Sequence, residues 1–188
     1  MILGVTGTAM PFDRLVAALD QVARRDPSQG VWVQWGNATP PDGLQGAAFL
    51  ARAELLEKMR TADVVVCHAG SGTLLDAIST GHVPVVVPRR RYLGEHVNDH
   101  QLEITEALSR EMRAIAVIDC ADLPAAIERA RGLRAVPRDS GSDRLRDALR
   151  SAAAQLGPPK RRARAAWKSL GLLTAWVPVR KSSGFRDC

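Results

Sequence analysis

The chain has little cysteine and no long apolar run. These two features argue against a disulfide-rich, zinc-binding, secreted or membrane-spanning protein. Its three cysteines, Cys67, Cys120 and Cys188, are an odd number without metal-ligand spacing. Neither a disulfide framework nor a zinc site is therefore indicated. No apolar run approaches the roughly 18 residues that cross a bilayer, and the start MILGVTGTAM lacks a basic n-region and a cleavage-like tail. We expect a cytoplasmic protein with reduced thiols and no metal.

Aromatic residues are scarce, and the positive charge is concentrated in one segment. Four Trp, three Phe and one Tyr leave little material for stacking on nucleic-acid bases. Residues 158–188 contain eight of the 26 Lys and Arg but one of the 20 acidic residues, which leaves 18 basic and 19 acidic residues in 1–157. We predict a neutral folded domain over 1–157 and a basic, Trp-containing tail over 158–188. No nucleic-acid partner is expected, and the tail is either flexible or contacts a membrane or partner.

Short apolar runs alternate with amphipathic stretches along the chain. The runs predicted as strands are residues 2–6, 31–35, 64–67, 83–87 and 114–118. The predicted helices are residues 11–24, about 53–60, the segment that ends at Gly81, 98–110, a helix from Pro124, and 142–157. This alternation predicts an α/β fold with a Rossmann-like parallel sheet and helices on both faces. The length suits one such domain and is too short for two large ones.

The loop after the predicted strand 64–67 reads His68-Ala69-Gly70-Ser71-Gly72-Thr73. Glycine lets the backbone approach a ligand, and a helix N-terminus attracts anions. However, glycine turns between strand and helix are also common for packing reasons, so the spacing alone leaves both interpretations open. The loop is neither a Walker motif, since no Gly-Lys-Ser/Thr occurs, nor a complete dinucleotide fingerprint, since its third glycine is missing.

The run ADVVVCHAGSGTLLDAISTGHVPVVVPRRRYLGEHVNDHQ resembles the C-terminal, donor-binding half of GT-B glycosyltransferases of family 28. This family includes the GlcNAc transferase that completes the peptidoglycan lipid precursor. The resemblance is strongest to the half-length subunits of two-component transferases, such as bacterial exopolysaccharide transferase pairs and the dolichol-linked GlcNAc transferase. The segment VTGTAMPFDRLVAALD resembles the opening strand, Gly-Thr loop and helix of the same family. About 110 residues are covered, with a gap at 37–46.

The resemblance implies that the chain binds a UDP-sugar as donor substrate and needs no cofactor. The diphosphate would lie against Gly7 and Thr8 and against Gly70, Ser71, Gly72 and Thr73, with His68 facing a phosphate. Asp76, one helical turn past the loop, would hold both ribose hydroxyls, and the backbone near Phe49 and Leu50 would bind uracil. Without the resemblance, the favoured interpretation of Asp76 is a solvated helix residue or a partner of the helix dipole in the first turn.

Residues 94–101 form a polar loop that contains Glu95, His96, Asp99, His100 and Gln101. In the family, the matching loop binds the hydroxyls of the donor sugar, a task for groups that donate and accept hydrogen bonds. Taken alone, the loop could instead hold a metal, although His96 and His100 would then need a helix that Gly94 makes doubtful. Asn98 could also cap a helix. Residues 89–91, three arginines, are typical of a solvated charge run that lends positive potential to a nearby cleft.

The resemblance further implies sugar transfer, for which the leaving diphosphate must be stabilised. Helix N-termini and glycine-loop amides can do this without a metal, and the sequence contains no Asp-X-Asp motif. We therefore expect a metal-independent, inverting displacement. Glu95, His96 and Asp99 are candidate catalytic bases.

In the full-length relatives the acceptor site lies in the other half of the molecule. The expected partner is thus a membrane-anchored, acceptor-binding glycosyltransferase subunit that presents a lipid-linked saccharide. The chain would then be peripheral at the inner face of the membrane, through this partner and its own tail. Two alternatives stay open: a UDP-sugar-binding or regulatory module without turnover, and an NAD-, nucleotide- or nucleic-acid-binding protein.

Overall fold

Residues 1–134, the part of the chain that the computed structural model describes, form six short strands and five α-helices, which alternate except that β3 follows β2 directly. The strands are β1 (Ile2–Val5), β2 (Val31–Gln34), β3 (Gly46–Ala47), β4 (Val64–His68), β5 (Val85–Val87) and β6 (Ile115–Ala116). The helices are α1 (Asp13–Arg25), α2 (Arg52–Thr61), α3 (Ser71–Ser79), α4 (His100–Arg110) and α5 (Leu123–Ala130). Short 3-10 turns occupy Pro27–Gln29, Arg91–Leu93 and Cys120–Asp122.

All six strands pair in parallel in the order β3-β2-β1-β4-β5-β6. This is the strand order of the doubly wound Rossmann fold. Ile2 at the start of β1 pairs with Val31 on one side and with Val64 on the other. The predicted parallel sheet is confirmed. The edge strand β3 was not predicted, because its two residues form a strand only through pairing with β2.

Helices cover both faces of the sheet, as the sequence predicted. On one face, α1 and α5 pack against a cluster that includes Ile2, Val33 and Val66. On the other, α2, α3 and α4 pack against a cluster that includes Leu3, Val65 and Cys67. The central strand β4 is apolar throughout its first four residues because successive side chains point to opposite, equally buried faces.

Helix α1 shows why these segments become helices. Its buried side chains recur at helical spacing and are Leu15, Val16, Ala18, Leu19 and Val22. Asp13 lies in the first turn, and Arg24 and Arg25 lie in the last, which complements the helix dipole. The helix was predicted to start at Pro11, but it begins two residues later, at Asp13. The reason is that Phe12 occupies the N-cap position and is fully buried.

Among residues 1–134, no helix is long and apolar enough to cross a membrane. The predicted helix over 142–157, the domain limit at 157 and the tail over 158–188 lie outside the described residues and stay predictions.

Candidate functional site

The carboxyl ends of β1 and β4 lie side by side in the middle of the sheet, where the strand order reverses direction. In open α/β sheets this switch point is where ligands bind. Gly7 follows β1 and Gly70 follows β4, and the imidazole of His68 packs between them. A Cβ atom on Gly7 would lie 2.6 Å from Cε1 and Nε2 of His68, and one on Gly70 would collide with Nε2. The two predicted phosphate loops are thus neighbours, with His68 between them.

His68 is electrically neutral near pH 7 in this structure. Its Nδ1 lies 3.4 Å from the backbone carbonyl oxygen of Val5, which can only accept a hydrogen bond, so Nδ1 carries the proton. Burial and, to a smaller extent, the nearby charge of Arg89 lower the pKa of His68 to about 4. In the unliganded chain the ring therefore fills space between the glycine loops without contributing charge. Its predicted contact with a phosphate stays a prediction.

The N-terminus of α3 is open to a ligand. Gly70 is its N-cap residue, no side chain caps the helix, and Ser71 and Gly72 are exposed. A Cβ atom on Gly72 would meet nothing within 4 Å. The first amide groups of a helix have no partner inside it, so this end can accept an anion at Ser71, Gly72 and Thr73.

The loop after β1 is supported by the loop after β2. Gly7 has a φ of +82° and Gly36 a φ of +62°, the left-handed region that favours glycine. A Cβ atom on Gly36 would collide with the carbonyl oxygen of Gly7, and Asn37 donates a hydrogen bond of 3.0 Å from Nδ2 to the carbonyl of Thr8. Sequence reasoning did not identify Gly36 or Asn37, because the contact joins two loops that are distant in the chain.

Arg89 is buried, which corrects the interpretation of residues 89–91 as a solvated charge run. Its side chain is among the largest that are fully buried, whereas Arg91 is exposed. The guanidinium donates to backbone carbonyls of the β1–α1 loop and lies 4.7 Å from the centre of the Phe12 ring. In a run of three arginines, the sequence does not indicate which side chain is buried. The path of the chain after β5 determines that Arg89 is the buried one.

Glu95 is held by Arg14 of helix α1. Arg14 Nε and Nη2 donate to the two carboxylate oxygens of Glu95 at 2.7 and 2.9 Å, and the backbone amide of Arg90 donates to one of them at 2.9 Å. The hydrogen bond to Glu95 raises the pKa of Arg14. Both oxygens are therefore engaged in this structure, and the roles of Glu95 as a base and as a sugar ligand stay predictions.

The remaining polar residues of the loop form local contacts. Nδ1 of His96 lies 3.0 Å from Oδ1 of Asn98, and Oδ1 of Asp99 accepts a hydrogen bond of 3.0 Å from the amide of Arg91. The N-cap residue of α4 is Asp99 rather than Asn98. Within residues 1–134, no three His, Cys, Asp or Glu side chains are grouped so as to hold a metal ion.

His100 and Gln101 lie in the first turn of α4, so the helix begins two residues later than predicted. Nδ1 of His100 lies 3.5 Å from the carboxylate of Glu103. Gln101 is buried, and its Oε1 accepts a hydrogen bond of 3.1 Å from the amide of Arg89. Gln101 therefore supports the loop in this structure, and its predicted contact with a sugar stays untested.

Asp76 lies in the second turn of α3, since the helix begins at Ser71. Arg52 at the start of α2 donates to its two carboxylate oxygens at 2.6 and 3.3 Å. The Asp76 side chain is 14% exposed and that of Arg52 is 74% exposed. The residues before α2 are Phe49, which is exposed, and Leu50, which is half-buried. The structure thus places the Asp76 carboxylate, paired with Arg52, near the start of α2.

Comparisons with known proteins identify the family of this chain. A family model described as the glycosyltransferase family 28 C-terminal domain matches residues 4–155. The UDP-N-acetylglucosamine transferase subunit ALG13 of Yarrowia lipolytica (strain CLIB 122 / E 150) is 40% identical over 124 residues, which are 59% of this chain and 61% of that protein. This chain therefore spans less than two thirds of that relative. A crystal structure of the glycotransferase of kitacinnamycin aligns with 89% of this chain and 43% of its own, at 16% identity and a TM-score of 0.48. Because the family model covers most of its length, the chain belongs to glycosyltransferase family 28 and carries the family's C-terminal domain.

Proposed function

We propose that this chain is the donor-binding catalytic subunit of a two-component GT-B glycosyltransferase. It takes a sugar from a UDP-sugar and passes it to a lipid-linked saccharide, in the synthesis of a polysaccharide such as an exopolysaccharide. Family membership, which confirms the resemblance seen in the sequence, and the name of the ALG13 relative support this proposal. The observation that carries it is the junction of two glycine loops around His68, beside the uncapped N-terminus of α3.

The diphosphate of the donor would lie across this junction. Its developing negative charge is stabilised in the transition state by the first amides of α3 and by the glycine-loop backbone. An approaching diphosphate also favours protonation of His68, which would then donate a hydrogen bond to a phosphate oxygen. This arrangement supplies leaving-group stabilisation without a metal, and we propose an inverting displacement.

Among the three candidate bases, His96 best suits proton acceptance. Asn98 holds its Nδ1, which leaves Nε2 for the proton of the acceptor hydroxyl. Both oxygens of Glu95 are engaged by Arg14, and Asp99 accepts from the amide of Arg91. We therefore rank His96 first, ahead of Asp99 and Glu95.

An exposed apolar patch beside this loop supports docking of the acceptor-binding subunit. Tyr92 is 75% exposed, Leu93 47% and Val97 73%. Exposed apolar side chains mark interaction sites, and these three lie in or directly before the polar loop of residues 94–101. A partner seated here would bring a membrane-bound acceptor to the donor sugar. The chain would then lie peripherally at the inner face of the membrane.

Replacing Gly72 tests the donor site directly. In the folded Gly72→Val variant we expect the affinity for UDP to fall by about tenfold or more, because a branched side chain blocks backbone approach to the diphosphate. The fold should persist, since a Cβ atom there meets nothing within 4 Å. Calorimetric titration with UDP and a melting curve measure both effects. Ser79→Val, at the far end of the same helix, is the matched control, and unchanged UDP affinity in folded Gly72→Val would remove the assignment.

Replacing Asp76 tests the ribose contact. Asp76→Ala should weaken UDP binding by about 2 kcal/mol, or roughly 30-fold, because hydrogen bonds to the carboxylate are lost. The expected loss is limited, since Arg52 already engages the same oxygens in the free chain. The comparison ligand is 2′,3′-dideoxy-UDP, whose binding should change little. Equal losses for the two ligands would show that Asp76 acts structurally.

A further inference from the structure

The side chain of Arg89 joins the end of β5 to the loop after β1. Its Nη2 donates at 2.7 Å to the carbonyl of Thr6 and at 2.7 Å to that of Met10. These two residues flank the turn that contains Gly7 and Thr8. Nη1 donates at 2.7 Å to the carbonyl of Pro11 and at 3.2 Å to that of Glu95. One guanidinium therefore closes the turn at both ends and ties it to the polar loop.

This placement is costly for stability. Arg89 is 2% exposed, burial lowers the pKa of its guanidinium, and the four acceptors named above are backbone carbonyls rather than carboxylates. Burying a cation without a directly bonded anion is unfavourable. The negative charge of Glu95 and the face of the Phe12 ring offset part of this cost. An apolar residue would fill the same space without the desolvation cost of a charge, but it could not donate hydrogen bonds to the carbonyls of the turn.

We propose that Arg89 is a positioning residue that holds the Gly7–Thr8 turn in its ligand-binding conformation before the donor arrives. This inference rests on the proposed function, in which that turn contacts the diphosphate. The planar guanidinium presents donors in several directions, and it reaches the carbonyls of three residues on the β1–α1 loop at once. Lysine keeps the charge but concentrates its donors at one point, so it cannot bridge the two ends of the turn.

The loop offers a matched control for this substitution. Arg91 lies two residues away, is exposed, and begins the 3-10 turn Arg91–Leu93. Arg91→Lys is the same chemical change as Arg89→Lys, made at a side chain on the surface. Any effect of arginine chemistry in general would therefore appear in both variants.

Binding of UDP and of uridine to the full chain tests the proposal. Arg89→Lys should lower the affinity for UDP by about tenfold or more while uridine, measured by competition, changes less than about twofold. Arg91→Lys should leave both unchanged. An equal loss for uridine and UDP would overturn the proposal, because it indicates general damage to the domain. Unchanged UDP binding in folded Arg89→Lys would overturn it as well.

Backbone order parameters of the free wild-type chain, obtained from 15N relaxation, test the same proposal without a substitution, and they decide it if Arg89→Lys does not fold. If Arg89 holds the turn in advance, the amides of Gly7 and Thr8 should be as rigid as those of strand β1 before UDP is added, with order parameters of about 0.85. Order parameters below about 0.6 in the free chain would show that the turn is ordered only by the ligand, and they would overturn the proposal. A wild-type chain that binds no UDP overturns the proposed function instead, and the order parameters of the free chain still test Arg89.

Discussion

The purified chain is expected to bind UDP but to transfer sugar at least about 100-fold more slowly than the same chain with its acceptor-binding partner. The described residues form one Rossmann-like sheet, with the candidate donor site at the carboxyl ends of its two central strands. Orientation of the acceptor hydroxyl against the donor supplies much of the rate, and closure of a cleft excludes water. Without the partner, both contributions are missing.

Reconstitution with the co-expressed partner, a lipid-linked acceptor and a panel of UDP-sugars measures this effect and also identifies the donor. Gly72→Val in the complex should remain inactive, which separates donor binding from assembly. Val97→Asp, in the exposed apolar patch, should keep UDP binding and lose the partner. Transfer by the chain alone at the rate of the complex would contradict the proposed place of the acceptor site. UDP binding with no transfer in the complex would favour a regulatory module.

The stability of the chain is expected to fall as the pH drops from about 6.5 to about 4, because of His68. Its pKa is lowered from 6.5 to about 4 in the folded chain. Above pH 6.5 the imidazole is neutral in both states, and the full stability is present. Between these two pKa values, His68 is protonated in the unfolded chain but remains neutral in the folded chain. The free energy of unfolding therefore decreases as the pH falls. The loss from this one group is about 3 kcal/mol and is complete below about pH 4.

Chemical denaturation of the wild type and of His68→Gln across this pH range measures the loss. The variant should show a shallower decrease in the free energy of unfolding. Burial also lowers the pKa of His82, whose Nε2 lies 2.6 Å from the carbonyl of Met59, so a smaller slope should persist in the variant. His82→Gln and the double variant separate the two histidines. Superimposable curves for the wild type and His68→Gln would show that the imidazole is not held neutral between the glycine loops.

Several polar contacts at the site could not be predicted because they join residues far apart in the chain. Arg14 and Glu95 are 81 positions apart, and Arg52 and Asp76 are 24 apart. Both carboxylates were recognised as candidates for their chemistry, but their arginine partners were not. A charged residue on a helix surface is typical of solvated positions, and only the packing of loops at the sheet edge shows which arginine reaches which acid.

The sequence by itself determined the parallel α/β architecture, the family and the choice of loops for the candidate site. It could do so because buried parallel strands require continuous apolar runs such as 64–67, and because turns close to a ligand require glycine, as at Gly7 and Gly70. Only the tertiary structure decided that His68 lies between those glycines as a neutral ring, that Arg89 is buried while Arg91 is exposed, and that Glu95 is paired. The physical reason is that burial and hydrogen-bond partners depend on which loops meet in space, and the local pattern of residues does not contain that information.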